Sequence, residues 1–412
     1  MFFLKREYFN KTYIIKGLIT ALLFSTPIYL AYFGLELKVI NTIFLLLSLY
    51  FILSINRASL FFAGFFTGIF WFYWVSFSFR YYDLTFLIPF VIFAFALTYG
   101  LLFLISSLKD NTYIRAILFF ALSFIDPFGF NWFKPEILLL DSFFETNKIV
   151  FALLLFSTIF LVKKRVFIYS IIIIATSFVN INPSSTPLSD LKVSLPQYFI
   201  NQDYKWNKKN LASVIDINFA QINSAIKNKD DVVVLPETAF PLLLNTQDFV
   251  LESLLEKSHL ITIVTGALYY ENSEYRNSTY IIKNGNVKLA HKVVLVPFGE
   301  AIPLPSIITN FINDIFYNGA KDYTKAKKPT DYKIKDTFFR NAICYEATSE
   351  ELYKNLGNTK NIIAISNNAW FTPSIEPTLQ KLLLRLYSNK YGVNIYHEVN
   401  GSENYIIKNE QL

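Results

Sequence analysis

The sequence predicts a multi-span α-helical membrane bundle followed by a mixed α/β domain in water, and three observations carry this fold class. Apolar residues make up 53 % of the chain and aromatic residues 18 %, while charged residues reach only 17 %, where a soluble domain approaches a quarter. The long apolar runs lie almost entirely before residue 180, and Asn, Lys, Asp and Glu concentrate after it. Between the halves, Asn182-Pro183-Ser184-Ser185-Thr186-Pro187-Leu188-Ser189 is a Pro- and Ser-punctuated break of the kind that separates domains. The expected division is therefore residues 1–181 and residues 182–412.

Crossing a hydrocarbon core about 30 Å thick takes roughly 20 helical residues. Seven stretches reach or approach that length, near residues 12–33, 39–56, 59–79, 84–107, 112–130, 147–162 and 165–180. The last two are short, with Lys163-Lys164-Arg165 as the turn between them. The first follows Lys5, Arg6 and Lys11; it is too long for a signal peptide and lacks a small-residue cleavage site, so it is expected to remain as a span. Lys and Arg in short loops set orientation. With a cytoplasmic N terminus, the inner loops hold Arg57, Lys109, Arg115, Lys163, Lys164 and Arg165, and the outer loops hold Lys38, Arg80, Lys134 and Lys148 beside Glu136, Asp141 and Glu145. Seven crossings then put the second domain on the outer side, the periplasmic face of a bacterial inner membrane. The aromatic run Phe70-Trp71-Phe72-Tyr73-Trp74 is expected at the membrane interface.

After the break, strand and helix signals alternate. Leu191–Leu195 reads as a strand and residues 207–228 as an amphipathic helix. Asp231-Val232-Val233-Val234-Leu235 is a β-branched run stopped by Pro236, typical of a strand buried on both faces. Ile261–Leu268, Thr279–Lys283, Ala290–Leu295, Phe338–Cys344 and Asn361–Ser366 read as further strands, with Asn284-Gly285 as a hairpin turn. The formal charge of +7 raises nucleic acid as a partner. The lysines are scattered, however, without the basic, aromatic-interleaved patch of a nucleic-acid module, so none is expected.

The single cysteine, Cys344, has no partner for an intramolecular disulfide. It stands in Asn341-Ala342-Ile343-Cys344-Tyr345-Glu346 at the end of a strand signal. Glu237, in Leu235-Pro236-Glu237-Thr238-Ala239-Phe240-Pro241, follows another. Lys292, in His291-Lys292-Val293-Val294-Leu295-Val296-Pro297-Phe298-Gly299-Glu300, is read as lying in a third. Layered α/β domains put their chemistry at strand ends. A thiol, a carboxylate and an ammonium are the parts of acyl transfer through a thioester. Glu237 can take the thiol proton, and Lys292 can balance the oxyanion and favour the thiolate.

These segments, in this order and followed by Ser366-Asn367-Asn368-Ala369-Trp370-Phe371, resemble the carbon-nitrogen hydrolase (nitrilase) superfamily with its Glu, Lys, Cys triad. Joined to a multi-span bundle, they are similar to the apolipoprotein N-acyltransferase family, which completes bacterial lipoprotein maturation. The resemblance implies a four-layer αββα sandwich and a ping-pong reaction without metal or organic cofactor. Cys344 would take an acyl chain from a phospholipid, usually phosphatidylethanolamine. The amine of a diacylglyceryl-cysteine at an apolipoprotein N terminus would then accept it. Glu237 carries over as base and Lys292 as the oxyanion-side cation. Glu300, Tyr345 and Glu346 carry over as active-site support, and Trp206, in Gln202-Asp203-Tyr204-Lys205-Trp206, as a substrate contact beside Trp370.

The family usually returns to the membrane with a final helix, and no apolar run of spanning length follows Trp370 here, so anchorage from the N-terminal side is expected. Residues 301–318 form an apolar loop, read as dipping into lipid. His259, His291 and His397 lack metal-ligand spacing and read as core or surface residues. Nothing calls for more than a monomer. Two other readings stay open: a membrane-tethered amidase or nitrilase acting on a small amide, and a non-catalytic membrane binding module. The spans hold little charge beyond Lys16, Arg115 and Asp126, which argues against a transport path.

Overall fold

The computed structural model describes residues 10–303, 309 and 322–409, so most of the apolar loop expected at 301–318, and Lys5 and Arg6, lie outside the described residues. Seven apolar helices come first: α1 (Lys11–Tyr32), α2 (Lys38–Ser54), α3 (Arg57–Phe72), α4 (Ile88–Ser106), α5 (Thr112–Leu122), α6 (Lys148–Val162) and α7 (Val166–Ser177). The helices α1, α3, α5 and α6 each begin on an Asn whose side chain accepts a first-turn N–H: Asn10, Asn56, Asn111 and Asn147. Such caps satisfy donors that lipid cannot.

Four stretches are long and apolar enough to cross a membrane: Lys11–Tyr32, Arg57–Tyr82, Thr85–Ser106 and Thr112–Gly129. The other three helices are shorter: α2 has 17 residues, and α6 and α7 are the two stretches expected to be short. The 15 residues of α6 and the 12 of α7 rise by roughly 22 Å and 18 Å at 1.5 Å per residue. Upstream of α6, residues 124–147 run as turns and short 3-10 segments that pack into the bundle core through Phe133, Leu138 and Leu139 and bond the second unit through Asn131 and Trp132. Outward faces of the bundle are apolar. On α4 and the turn before it, Phe86, Phe90, Phe93, Leu97, Leu101 and Ile105 recur at helical spacing and are exposed, as lipid-facing side chains are.

Of the aromatic run expected at the interface, Trp71, Phe72 and Trp74 are instead core, while Phe70 and Tyr73 are half-buried against it. Trp71 and Phe72 are fully buried and Trp74 is 3 % exposed. After Phe72 the chain tightens into a 3-10 segment, Tyr73–Tyr82, which turns these rings inward. Trp71 lies face to face with Phe24, at 5.5 Å between ring centroids, and donates its indole N–H to Ser25 Oγ. Close helix approach helps: a Cβ on Gly64 of α3 would sit 2.3 Å from the Tyr99 carbonyl oxygen of α4.

The second unit contains two sheets. The first runs β1 (Val193–Ser194), β2 (Val232–Val234), β4 (Thr262–Glu271), β5 (Glu274–Lys283), β6 (Asn286–His291), with β3 (Phe240–Leu243) also pairing with β4. The second runs β11 (Tyr405–Ile407), β10 (Asn394–Asn400), β9 (Asn361–Asn367), β8 (Thr337–Ile343), β7 (Asp331–Ile334). Helices α8 (Gln202–Lys205), α9 (Leu211–Asn228), α10 (Asp248–Lys257) and α11 (Glu376–Tyr391) complete it.

Period-2 alternation explains the layers. Val232, Val234 and Val264 of the first sheet meet Phe339, Ile343, Ile363 and Ile365 of the second. Their neighbours Val233, Leu235 and Ile263 face Ile222 and Ala225 of α9 and Leu254 of α10. On the far side, Ala342, Ile362, Ala364 and Ile395 meet Leu384 and Tyr387 of α11. The order is helices, sheet, sheet, helix, the expected αββα sandwich. β6 stops at His291, so Lys292 lies just past a strand end and not within the strand read from the sequence. Asn284-Gly285 makes the β5 to β6 hairpin with both φ angles positive, 49° and 74°.

The fourth layer also docks the sandwich on the bundle. Ile375, Leu379, Leu382, Leu383 and Leu386, on or beside α11, share one buried cluster with Phe24, Trp71 and Leu138. At its edge Arg385 clamps Asp141 with two hydrogen bonds, 2.7 and 2.9 Å, from a half-buried position. Arg385→Ala leaves Asp141, 13 % exposed, with its partner removed. The expected loss is about 2 kcal/mol, read as a lower thermal unfolding midpoint of the detergent-purified protein, and Asp141→Ala in the same background should add little.

Candidate active site

Three strand ends of the two sheets converge. Glu237 follows β2, Lys292 follows β6 and Cys344 follows β8. Lys292 Nζ, on a side chain 1 % exposed, lies 2.8 Å from Glu300 Oε2 and 3.6 Å from Glu237 Oε1. Burial pulls its pKa down, but Glu300, then Glu237 and Cys344, outweigh that and hold it above the ordinary lysine value, so it stays an ammonium. Asn277 of β5 ties the carboxylates together, its Nδ2 donating to Glu237 Oε1 at 2.7 Å and Glu300 Oε1 at 2.9 Å. Glu300 also accepts from the Val296 backbone N–H, 2.9 Å away.

Cys344 opens a short 3-10 turn, Cys344–Thr348, in the left-handed region at φ 55°, a strained position for a residue with a Cβ. Its thiol is pushed well above the ordinary cysteine value, first by burial and then by Glu237, while Lys292 pulls the other way. The expectation that Lys292 favours the thiolate holds in sign but loses in size. The resting group is a thiol, and a thiol needs a base to take its proton before it can serve as a nucleophile.

Glu346 supports this geometry from within. Its Oε1 accepts from the Ile343 N–H at 2.6 Å and its Oε2 from the Val293 N–H at 2.7 Å, tying the strand before Cys344 to the segment after Lys292. Burial, only partly offset by those N–H donors and Lys292, raises its pKa to about 7. Tyr345 points the other way, into the bundle. Its hydroxyl donates to Gly129 O at 2.8 Å and accepts from the Asn131 N–H at 2.9 Å, and its ring stacks beside Phe130 and Trp132. Trp370 also meets the bundle, face to face with Tyr82 and edge-on to Tyr81. Trp206 stays 40 % exposed with its indole N–H on Gln202 Oε1.

Sequence reading missed three residues here. Asn277 carries no motif, since one Asn in a strand signals nothing. Lys205 is 2 % exposed, and its Nζ donates to Glu237 O at 3.0 Å and Thr238 Oγ1 at 2.9 Å, gripping a turn in which Thr238 has φ 48°. Burial lowers its pKa to about 7. The signal was its place one residue before Trp206. Glu376, at the start of α11 and 1 % exposed, has its carboxyl raised well above the usual range by burial and then by Glu237, so a neutral acid lies near the thiol. Two of the histidines contact serines: His291 Nδ1 on Ser278 Oγ and His397 Nε2 on Ser366 Oγ, each at 2.7 Å. No cluster of three or more potential metal ligands occurs among the described residues.

Known proteins share this chain along nearly its whole length. It is 42 % identical over 394 residues to an apolipoprotein N-acyltransferase of Wolinella succinogenes, covering 95 % of both chains. To the one of Campylobacter jejuni it is 36 % identical over 405 residues, covering 97 % of this chain and 90 % of that one. Residues 11–181 match the family model of the apolipoprotein N-acyltransferase integral membrane domain. The chain belongs to the apolipoprotein N-acyltransferase family. Among solved structures, XC1258 of Xanthomonas campestris, a CN-hydrolase superfamily protein, is similar at TM-score 0.41 and 14 % identity, over 53 % of this chain and 83 % of that one.

In this member of the apolipoprotein N-acyltransferases, Gly266 of β4 makes room for Glu237. A Cβ there would lie 2.5 Å from Thr238 N and 2.7 Å from Glu237 Cα. Gly266→Ala must displace Glu237, and the expected result is a roughly 100-fold slower N-acylation, with the far-ultraviolet circular dichroism of the wild type. Glu346 gives a pH test. Between about pH 4.5 and about 7 the unfolded chain releases a proton that folded Glu346 keeps. Its stability contribution is therefore full below that window and lost as pH rises through it. The unfolding midpoint of Glu346→Gln should fall less across the window than that of the wild type.

Proposed function

We propose that this N-acyltransferase moves a fatty acyl chain from a membrane phospholipid, through a thioester on Cys344, to the N-terminal amine of a diacylglyceryl-cysteine on an apolipoprotein. Glu237 removes the thiol proton as sulfur attacks the ester carbonyl, and Lys292 balances the oxyanion. The tetrahedral intermediate collapses as Glu237 returns the proton to the glycerol oxygen, releasing a lysophospholipid. In the second half, the acceptor amine attacks the thioester, Glu237 takes the amine proton, and the thiol leaves reprotonated. Glu300 and Asn277 hold the ammonium and base in register, and Glu346 braces the turn. Tyr345 ties the nucleophile's turn to the bundle, and Trp370 and Trp206 are substrate contacts at the site's margins.

The observation that carries this reading is Tyr345, the residue after the nucleophile, hydrogen-bonded at both Gly129 and Asn131 of the bundle. The thiol therefore borders the membrane unit, where an acyl donor resides. A small amide would need no such bundle, so the tethered amidase is the weaker reading. A non-catalytic module would not need a buried ammonium between two carboxylates. Phosphatidylethanolamine is the proposed donor and a monomer the proposed state. The bias of Lys and Arg toward one set of loops supports an inner-membrane position with the sandwich on the periplasmic side.

Intact-mass measurement after incubation with phosphatidylethanolamine tests the first half-reaction. The wild type should gain one acyl chain, lost to hydroxylamine, and Cys344→Ser should gain no hydroxylamine-labile chain. Glu237→Gln should form the adduct roughly 10²- to 10⁴-fold more slowly. A folded, lipid-embedded wild type with no adduct would remove the thioester from the proposal.

A further inference from the structure

The helix ends farthest from the sandwich enclose a cavity of about 510 Å³. Its walls are the turn from α2 to α3 (Leu53 to Arg57), the turn from α4 to α5 (Ser107, Leu108, Asp110 and Thr112), Arg115 on the first turns of α5, and Val162 at the end of α6. The volume is that of a small-ligand site. It is unrelated to the catalytic centre, because the loops that contact the sandwich, around Tyr81, Asn131 and Asp141, lie at the opposite ends of these helices.

Two guanidinium groups line this cavity. Arg115 is only 6 % exposed. One edge is in use: Nη1 donates to Ile55 O at 2.6 Å and Leu53 O at 3.3 Å, closing the carbonyl end of α2. Its Nε is buried without a partner among the described residues. A buried cationic donor left unmet costs more than a neutral side chain would, which asks for an acceptor. Arg57, exposed at the rim, reaches Leu108 O at 3.4 Å. Both α3 and α5 begin here, so two positive helix ends face the cavity. Lys163, Lys164 and Arg165 continue from Val162, and Asp110 is the one acid in the lining.

We propose that this cavity binds the phosphate of an anionic lipid headgroup from the leaflet opposite the catalytic sandwich. A phosphate diester offers a guanidinium edge two oxygens at once, and basic pockets between helix ends at a membrane surface suit that chemistry. A lipid seated here lies at the helix ends opposite those that contact the sandwich and Cys344, so it is a bound companion of the bundle and not an acyl donor.

Native mass spectrometry of the full-length, detergent-released protein tests this, with phosphatidylglycerol, phosphatidylethanolamine or inorganic phosphate as probes. The expected result is retention of phosphatidylglycerol over phosphatidylethanolamine, about tenfold weaker in Arg57→Gln and stronger in Asp110→Asn. Because Arg115→Gln also frees the end of α2, those two rim variants decide the matter. Millimolar inorganic phosphate should leave the lipid adduct in place. Displacement by phosphate, with phosphate alone raising the unfolding midpoint in an Arg57-dependent way, overturns the lipid source and makes free phosphate the ligand. Adducts unchanged in both rim variants overturn the site itself. Thioester formation on Cys344 is read separately, so a failure here is distinguishable from a failure there.

Discussion

A lysine ammonium buried to 1 % exposure between two carboxylates organises the catalytic half of this protein. Left alone, such a charge would shed its proton. Glu300 at 2.8 Å prevents that, and Glu237 at 3.6 Å shares the load. The pair must be steered apart from each other yet toward one cation, and Asn277 does so by donating to both. The same requirement reaches outward. Glu300 needs the Val296 N–H, Glu237 needs its turn held by Lys205, and that turn fits only because β4 carries glycine at 266.

The environment of the proposed nucleophile, Cys344, follows from this arrangement. Lys292 is largely neutralised by its carboxylates, so it cannot keep the Cys344 thiol ionised against burial. In the proposed reaction, activation comes with the substrate, as Glu237 moves the proton. A resting thiol in a lipid-bordering site is less open to adventitious oxidation than a standing thiolate.

The two units are coupled where chemistry and membrane meet. Tyr345 reaches into the bundle and α11 lays an apolar face against it. α11 serves two cores at once, with Leu379, Leu382, Leu383 and Leu386 in the bundle cluster and Leu384 and Tyr387 on the second sheet. The segment from 124 to 147 performs the reciprocal task from the membrane side, with Phe133 and Leu138 in the bundle core and Asn131 and Trp132 on Thr348.

Composition and the Pro-rich break determined that a lipid-solvated half precedes a water-solvated one, because transfer free energies act residue by residue. The β-branched run before Glu237 likewise marked a strand end, since burial on both faces leaves a local trace. The carboxylate, ammonium and thiol were legible as residues in order, but their distances were not. Asn277 and Glu376 had no local signature and Lys205 only its place beside Trp206, for each matters through groups 23 to 40 residues away or on another element. The aromatic run at 70–74 was misread for the same reason: hydrophobicity says that a ring avoids water, and only packing decides whether it meets lipid or another ring. Tertiary structure alone decided that Lys292 lies past its strand, that Tyr345 faces the bundle, and that an arginine at the far helix ends is buried with a donor to spare. Those outcomes depend on what distant segments bring into contact, and no window of sequence contains both sides of such a contact.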